Sequence, residues 1–86
     1  MSQAKKRIER LRSVPADFSW DELVVVLEDL GFKELTKKGG GSHRTFMDAQ
    51  ERKIVTAKPH PSPNVRRYLL RDVLKKLVEY GILNDE

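Results

Sequence analysis

Eighty-six residues make room for one domain, and a chain this short buries only about 60% of the surface it exposes when unfolded. That excludes a deep cofactor cavity and favours a surface site working on a large, extended substrate. With no cysteine and a formal net charge of +4, the chain has no disulfide, thiolate nucleophile or cysteine zinc site, and it suits an anionic partner.

Residues 4–12 (AKKRIERLR) pattern as a short basic helix with Ile8 and Leu11 on one face. Lys5, Lys6, Arg7, Arg10 and Arg12 there stand against Glu9 alone. No apolar stretch follows, so this is not expected to be a signal peptide. Val14-Pro15 ends the element, and residues 1–17 read as a basic extension, accessory to a domain over 18–86. Ser19 and Glu22 then fit a capping box, with Phe18 and Leu23 at the positions of a hydrophobic staple. The spacing of Trp20, Leu23, Val24, Leu27 and Leu30 predicts a helix over 20–30, stopped by Gly31 in a left-handed conformation. The apolar run Leu23 to Leu27 is far too short to cross a bilayer. The expected location is therefore the cytoplasm, away from membranes.

Phe32 to Lys38 reads as a short strand, interrupted by Gly39, Gly40 and Gly41. Residues 43–48 (HRTFMD) and 53–58 (KIVTAK) read as two strands of a hairpin turned by Ala49-Gln50-Glu51-Arg52. Pro59, Pro61 and Pro63 impose an extended loop. A last helix begins between Asn64 and Leu70, carries Leu70, Val73, Leu74, Leu77 and Val78 as its apolar stripe, and ends at Tyr80 before Gly81. The order helix, three strands, helix implies an α+β fold. A three-stranded antiparallel sheet with both helices on one face buries each apolar stripe once, and leaves the other sheet face open to water or a ligand.

The positive charge is segregated. Residues 33–76 carry twelve Lys and Arg against Glu34, Asp48, Glu51 and Asp72, whereas Asp17 to Asp29 and the C-terminal tail are acidic. This is the footprint of a polyanion binder, although a solvated basic surface accounts for it equally well. Only His43 and His60 exchange protons near neutral pH without a shifted pKa. Side chains alternate along a strand, so Arg44 and Phe46 share one face and His43, Thr45 and Met47 the other; if Phe46 is core, His43 points at the open side. His43 also follows Gly41-Ser42, where a phosphate can approach backbone N–H groups closely because Gly41 has no side chain. A proton-transfer group beside such a loop suits attack of an RNA 2′-hydroxyl on its phosphodiester. An ordinary strand-edge histidine is the bland alternative. His60, between Pro59 and Pro61, either lines the same face or is a loop residue. A metal site built on both histidines needs a third ligand; Asp48 is a candidate without diagnostic spacing. Lys38, Arg44 and Lys58 are candidate cations by position, and Arg71 is one of several on the last helix able to meet phosphates.

Taken together, Trp20-Asp21-Glu22-Leu23 with Leu27 and Leu30-Gly31-Phe32, Gly41-Ser42-His43 with Phe46, Pro59-His60-Pro61, and Val73 to Leu77 with Gly81-Ile82-Leu83 resemble the HicA toxin family over roughly residues 18–83. The resemblance implies a fold like that of double-stranded RNA-binding domains, α-β-β-β-α. It also implies a metal-independent endoribonuclease (an mRNA interferase), with His43 as the catalytic residue, no cofactor, and a HicB-like antitoxin that covers the site. It says little about residues 1–17, and the triple glycine before Ser42 is longer than the family's usual pattern. The expected site is then His43 as catalyst, with Lys38, Gly41, Ser42, Arg44, Lys58, His60 and Arg71 as candidate RNA contacts. The rival reading is a binding module that holds RNA by shape and phosphate contacts without cutting it. A DNA-binding role ranks below both, because no helix-turn-helix pattern is visible and the helix over 20–30 is acidic.

Overall fold

Ser19 starts the first strong helix as its composition requires. Its hydroxyl accepts the Glu22 backbone N–H at 3.1 Å, while the Glu22 carboxylate accepts the Ser19 N–H at 3.3 Å. Two amides that a helix start leaves without partners are thereby satisfied. In the computed structural model, which describes residues 3–35 and 43–84, this helix is α2 (Trp20–Asp29), preceded by α1 (Gln3–Arg12). The strands β1 (Lys33–Glu34), β2 (His43–Met47) and β3 (Lys53–Ala57) follow, and α3 (Arg67–Glu79) closes the chain. Gly31 and Gly81 stand just past α2 and α3 with φ of 94° and 73°, the left-handed region where a residue without Cβ meets no steric penalty.

The sheet is antiparallel in the order β1-β2-β3. Its register pairs His43 with Ala57, Thr45 with Val55 and Phe46 with Ile54, and Lys33 with Met47. Of the strand expected over Phe32–Lys38, Lys33–Glu34 forms β1, Phe32 is core, and a bond from Leu35 N–H to the Thr45 carbonyl (2.8 Å) continues the pairing. Residues 36–38 lie outside the described residues. Asp48 leaves the strand to make the turn. One carboxylate oxygen accepts the N–H groups of Gln50 and Arg52, and the other receives the Arg52 guanidinium at 2.7 Å. Arg52 also donates to the Tyr80 carbonyl, and the Tyr80 hydroxyl donates to the Lys53 carbonyl at 2.6 Å. The hairpin turn is thus stapled to the end of α3.

Phe46, Ile54 and Thr56 point to one side of the sheet and are buried. On that side Phe18, Leu23, Leu27, Leu70, Val73 and Leu77 from the helical layer close one core cluster, and Trp20 packs on Phe46 with ring centroids 5.9 Å apart. The N-terminal element is more than an accessory. Leu11 is fully buried in the same cluster, and Ile8 and Val14 pack against it. Arg10 ties α1 to the α2 capping box, reaching Glu22 at 2.8 Å and Asp17 at 3.2 Å. Among the described residues no element packs on the other side of the sheet. Among the described residues no helix is long and apolar enough to cross a membrane.

Candidate functional site

The uncovered sheet face is built by strand alternation. From β2 it receives His43, Thr45 and Met47, and from β3 Lys53, Val55 and Ala57. Lys33, opposite Met47, joins them from β1. Val55 at the centre is 60% exposed, far more than a β-branched residue on a covered face. The face is therefore a mildly apolar floor with His43 at one end and Lys33 and Lys53 at the other. His43 is exposed, and the register places it where β2 begins. The lysine pair was not singled out in the sequence. Its signal was there, since hairpin register puts Lys53 on the same face as His43.

Arg44 follows the opposite parity. It pairs with buried Thr56 and makes an ion pair with Glu34 at 3.2 Å, and its guanidinium also donates to the His43 carbonyl at 3.1 Å. It buttresses the strand on the core side and does not line the open face. Lys58 and His60 leave the sheet at the His43 end, where the backbone continues from Ala57 into the proline loop. That loop is pinned to α2: the Trp20 N–H donates to the Pro63 carbonyl at 2.9 Å, and the Val65 N–H to the Phe18 carbonyl at 2.8 Å. Lys58 and His60 are both exposed and share a shallow hollow of about 300 Å³ with Ser19, Trp20 and Asp21. The hollow abuts the α2 N-terminus, a location that would ordinarily favour an anion. Here the Trp20 and Glu22 amides already have acceptors, and Asp21 places a like charge at its rim. The loop residue reading of His60 fits this geometry better than a phosphate-cradle reading.

Arg71 belongs elsewhere. It lines a groove of about 380 Å³ on the helical layer together with Arg12 and Lys75, whereas His43 is on the uncovered face of the sheet. Lys38, Gly41 and Ser42 lie outside the described residues. Asp48, the third metal ligand considered, is held by Arg52 and by two backbone amides. Burial acts to raise its pKa, but the hydrogen bonds from Arg52 and Gln50 and the Arg52 charge outweigh it and hold the carboxylate below its ordinary range. Both of its oxygens are engaged in the turn. Among the described residues no group of three or more His, Asp or Glu is placed to hold a metal ion.

What the open face offers chemically is an accessible imidazole on a rigid strand, bordered by cations at the far end and by Lys58 beyond the strand end. Strand residues place a reactive group more reproducibly than loop residues do. The family model described as the HicA toxin of bacterial toxin-antitoxin matches residues 20–77. That span runs from the first residue of α2 to the last buried leucine of α3 and leaves α1 outside. No curated protein and no solved structure matches the chain.

Proposed function

Since the chain belongs to the HicA toxin family of bacterial toxin–antitoxin systems, we propose that it is an endoribonuclease that cuts mRNA with His43 as its acid–base catalyst and is neutralised by a HicB-like antitoxin. The observation that carries this reading is the position of His43: an exposed imidazole at the start of β2, on the sheet face that no described element covers.

In this mechanism the RNA 2′-oxygen attacks the adjacent phosphorus. A bond forms between the 2′-oxygen and phosphorus, the bond from phosphorus to the 5′-oxygen breaks, and a cyclic 2′,3′-phosphate is left. The reaction needs one proton taken from the 2′-hydroxyl, one given to the leaving 5′-oxygen, and cations near the developing phosphorane charge. His43 supplies one of the two proton transfers. Lys58 follows Ala57, the cross-strand partner of His43, and is proposed to meet the phosphate, and Gly41 and Ser42 are proposed to shape its approach. None of these steps requires a metal ion. The antitoxin is proposed to dock on the open face, where Val55, Thr45 and Met47 give it an apolar floor and Lys33 and Lys53 a positive edge. Covering that face removes RNA access by steric and electrostatic exclusion.

One observation favours the binding-module reading instead. No side chain among the described residues hydrogen-bonds the His43 imidazole, whereas catalytic bases are commonly oriented by a third group. Incubation of wild type and His43→Ala with a long single-stranded RNA in EDTA, read on a denaturing gel, separates the two. Cleavage by wild type alone supports the nuclease. Equal cleavage by both removes His43 from the mechanism. Binding by both without cleavage supports the module.

A further inference from the structure

The α3 surface turned toward α1 carries one cation per helical turn. Arg67, Arg71 and Lys75 are four residues apart, a single ridge with steps of about 6 Å. Across from it stands Arg12 of α1, and the groove between them is floored by Leu74 and Val78. Two of the cations have structural duties: Arg12 donates to the Asn84 carbonyl at 3.0 Å, and Arg67 to the Val14 carbonyl at 2.9 Å. Arg71 and Lys75 are exposed and make no ion pair or hydrogen bond among the described residues. Glu79, the acidic residue of this groove, is neutralised by Lys76 at 3.4 Å. Next to this ridge, three residues before Arg71 on α3, Tyr68 is 57% exposed.

Regularly spaced cations beside an exposed aromatic ring, above a floor that can accept sugar and base edges, are the parts of a single-stranded nucleic-acid groove. An acidic peptide would satisfy the charge but gives no use to the repeated spacing or to the open tyrosine. The groove lies on the helical layer, the other side of the sheet from His43. One wall is α1, which is outside the span matched by the family model. We propose that the groove between α1 and α3 is a second RNA-binding surface, in which Arg12, Arg67, Arg71 and Lys75 hold successive phosphates and Tyr68 stacks on a base. The inference rests on the reading of the protein as an RNA binder but not on His43 being its catalyst. The domain measures 37 × 30 × 22 Å, so a long transcript reaches both surfaces. A strand held in the groove raises the effective concentration of RNA at the sheet face.

The test is binding of the full-length chain to a fluorescein-labelled 2′-O-methyl RNA, which lacks the attacking hydroxyl, by anisotropy over a range of salt concentrations. Reversal of the two free cations, Arg71→Glu with Lys75→Glu, is expected to weaken binding on the order of tenfold or more and to flatten the salt dependence by about 1.4 in log–log slope, two phosphate contacts at about 0.7 each. Tyr68→Ala is expected to lose about tenfold in affinity with the salt slope unchanged. The pair Arg71→Lys with Lys75→Arg should bind like wild type. Thermal melts check that each variant is folded; if the reversal pair is not, Arg71→Gln with Lys75→Gln carries the same comparison. Wild-type affinity and slope in the reversed or neutralised variant would overturn the proposal, as would the absence of RNA binding by wild type. Retained RNA binding with lost affinity for the antitoxin would reassign the groove to a protein partner. Cleavage by His43→Ala is scored separately, so failure of the catalytic assignment leaves this result readable.

Discussion

His43 and Arg44 are neighbours in the sequence, yet they stand in different surroundings because alternate strand residues face opposite sides. Arg44 braces Glu34, while His43 stands on the open face. His43→Ala is therefore expected to abolish turnover, at least about a hundredfold as for loss of a general acid–base group, with RNA affinity and melting temperature unchanged. Single-turnover cleavage beside anisotropy measures both. A second residue is informative for stability. The Thr56 hydroxyl is buried on the core side with no hydrogen-bond partner among the described residues, and an unmade buried hydrogen bond costs about 1–3 kcal/mol. Thr56→Val keeps the shape and removes the hydroxyl. We expect urea denaturation to show a gain of about 1 kcal/mol.

At the scale of elements, the start of α2 joins three pieces of the chain. Ser19 caps it, Glu22 closes the box, and Arg10 brings α1 to the same carboxylate. Ser19→Ala is expected to cost about 1 kcal/mol of folding stability by chemical denaturation, the usual effect of losing a helix cap. The Arg10 hydrogen bond is the largest cause that lowers the Glu22 pKa, opposed by burial and aided by Ser19. A carboxylate with a lowered folded pKa adds stability above its ordinary range and loses it as pH falls through the folded value. Wild type should thus lose stability on acidification more steeply than Arg10→Gln. The two curves should differ at neutral pH and converge in acid. Denaturation midpoints across a pH series read this directly, and parallel curves would mean that the pair contributes nothing measurable.

For the whole molecule, the consequential feature is asymmetry: three helices on one side of a three-stranded sheet and, among the described residues, no element on the other. The large buried side chains among the described residues serve one core, and α1 shares it through Leu11. Leu11→Ala is expected to cost about 2–5 kcal/mol, as for other buried leucines, and to lower the melting temperature of the entire domain in a single transition. A small early transition confined to the N-terminal segment would instead make α1 an independent appendage. The same asymmetry leaves two exposed surfaces for the proposed roles, the open sheet face with His43 and the cationic groove between α1 and α3.

Local chemistry was legible in the chain itself. The capping box, both glycine helix stops, the hairpin and the facing of Phe46 against His43 all follow from neighbours within a few residues, so a sequence pattern carries them. The cross-strand register of β1 did not follow, because Lys33 meets Met47 and Glu34 meets Phe46 across the sheet, and that depends on a distant strand. Nor did the burial of Leu11, the commitment of Arg44 to Glu34, or the separation of Arg71 from His43. Each of these depends on which element packs against which face. Residue type and spacing determined the elements and the candidate histidine; only packing in three dimensions decided which cations keep it company and which stand on the other side of the sheet.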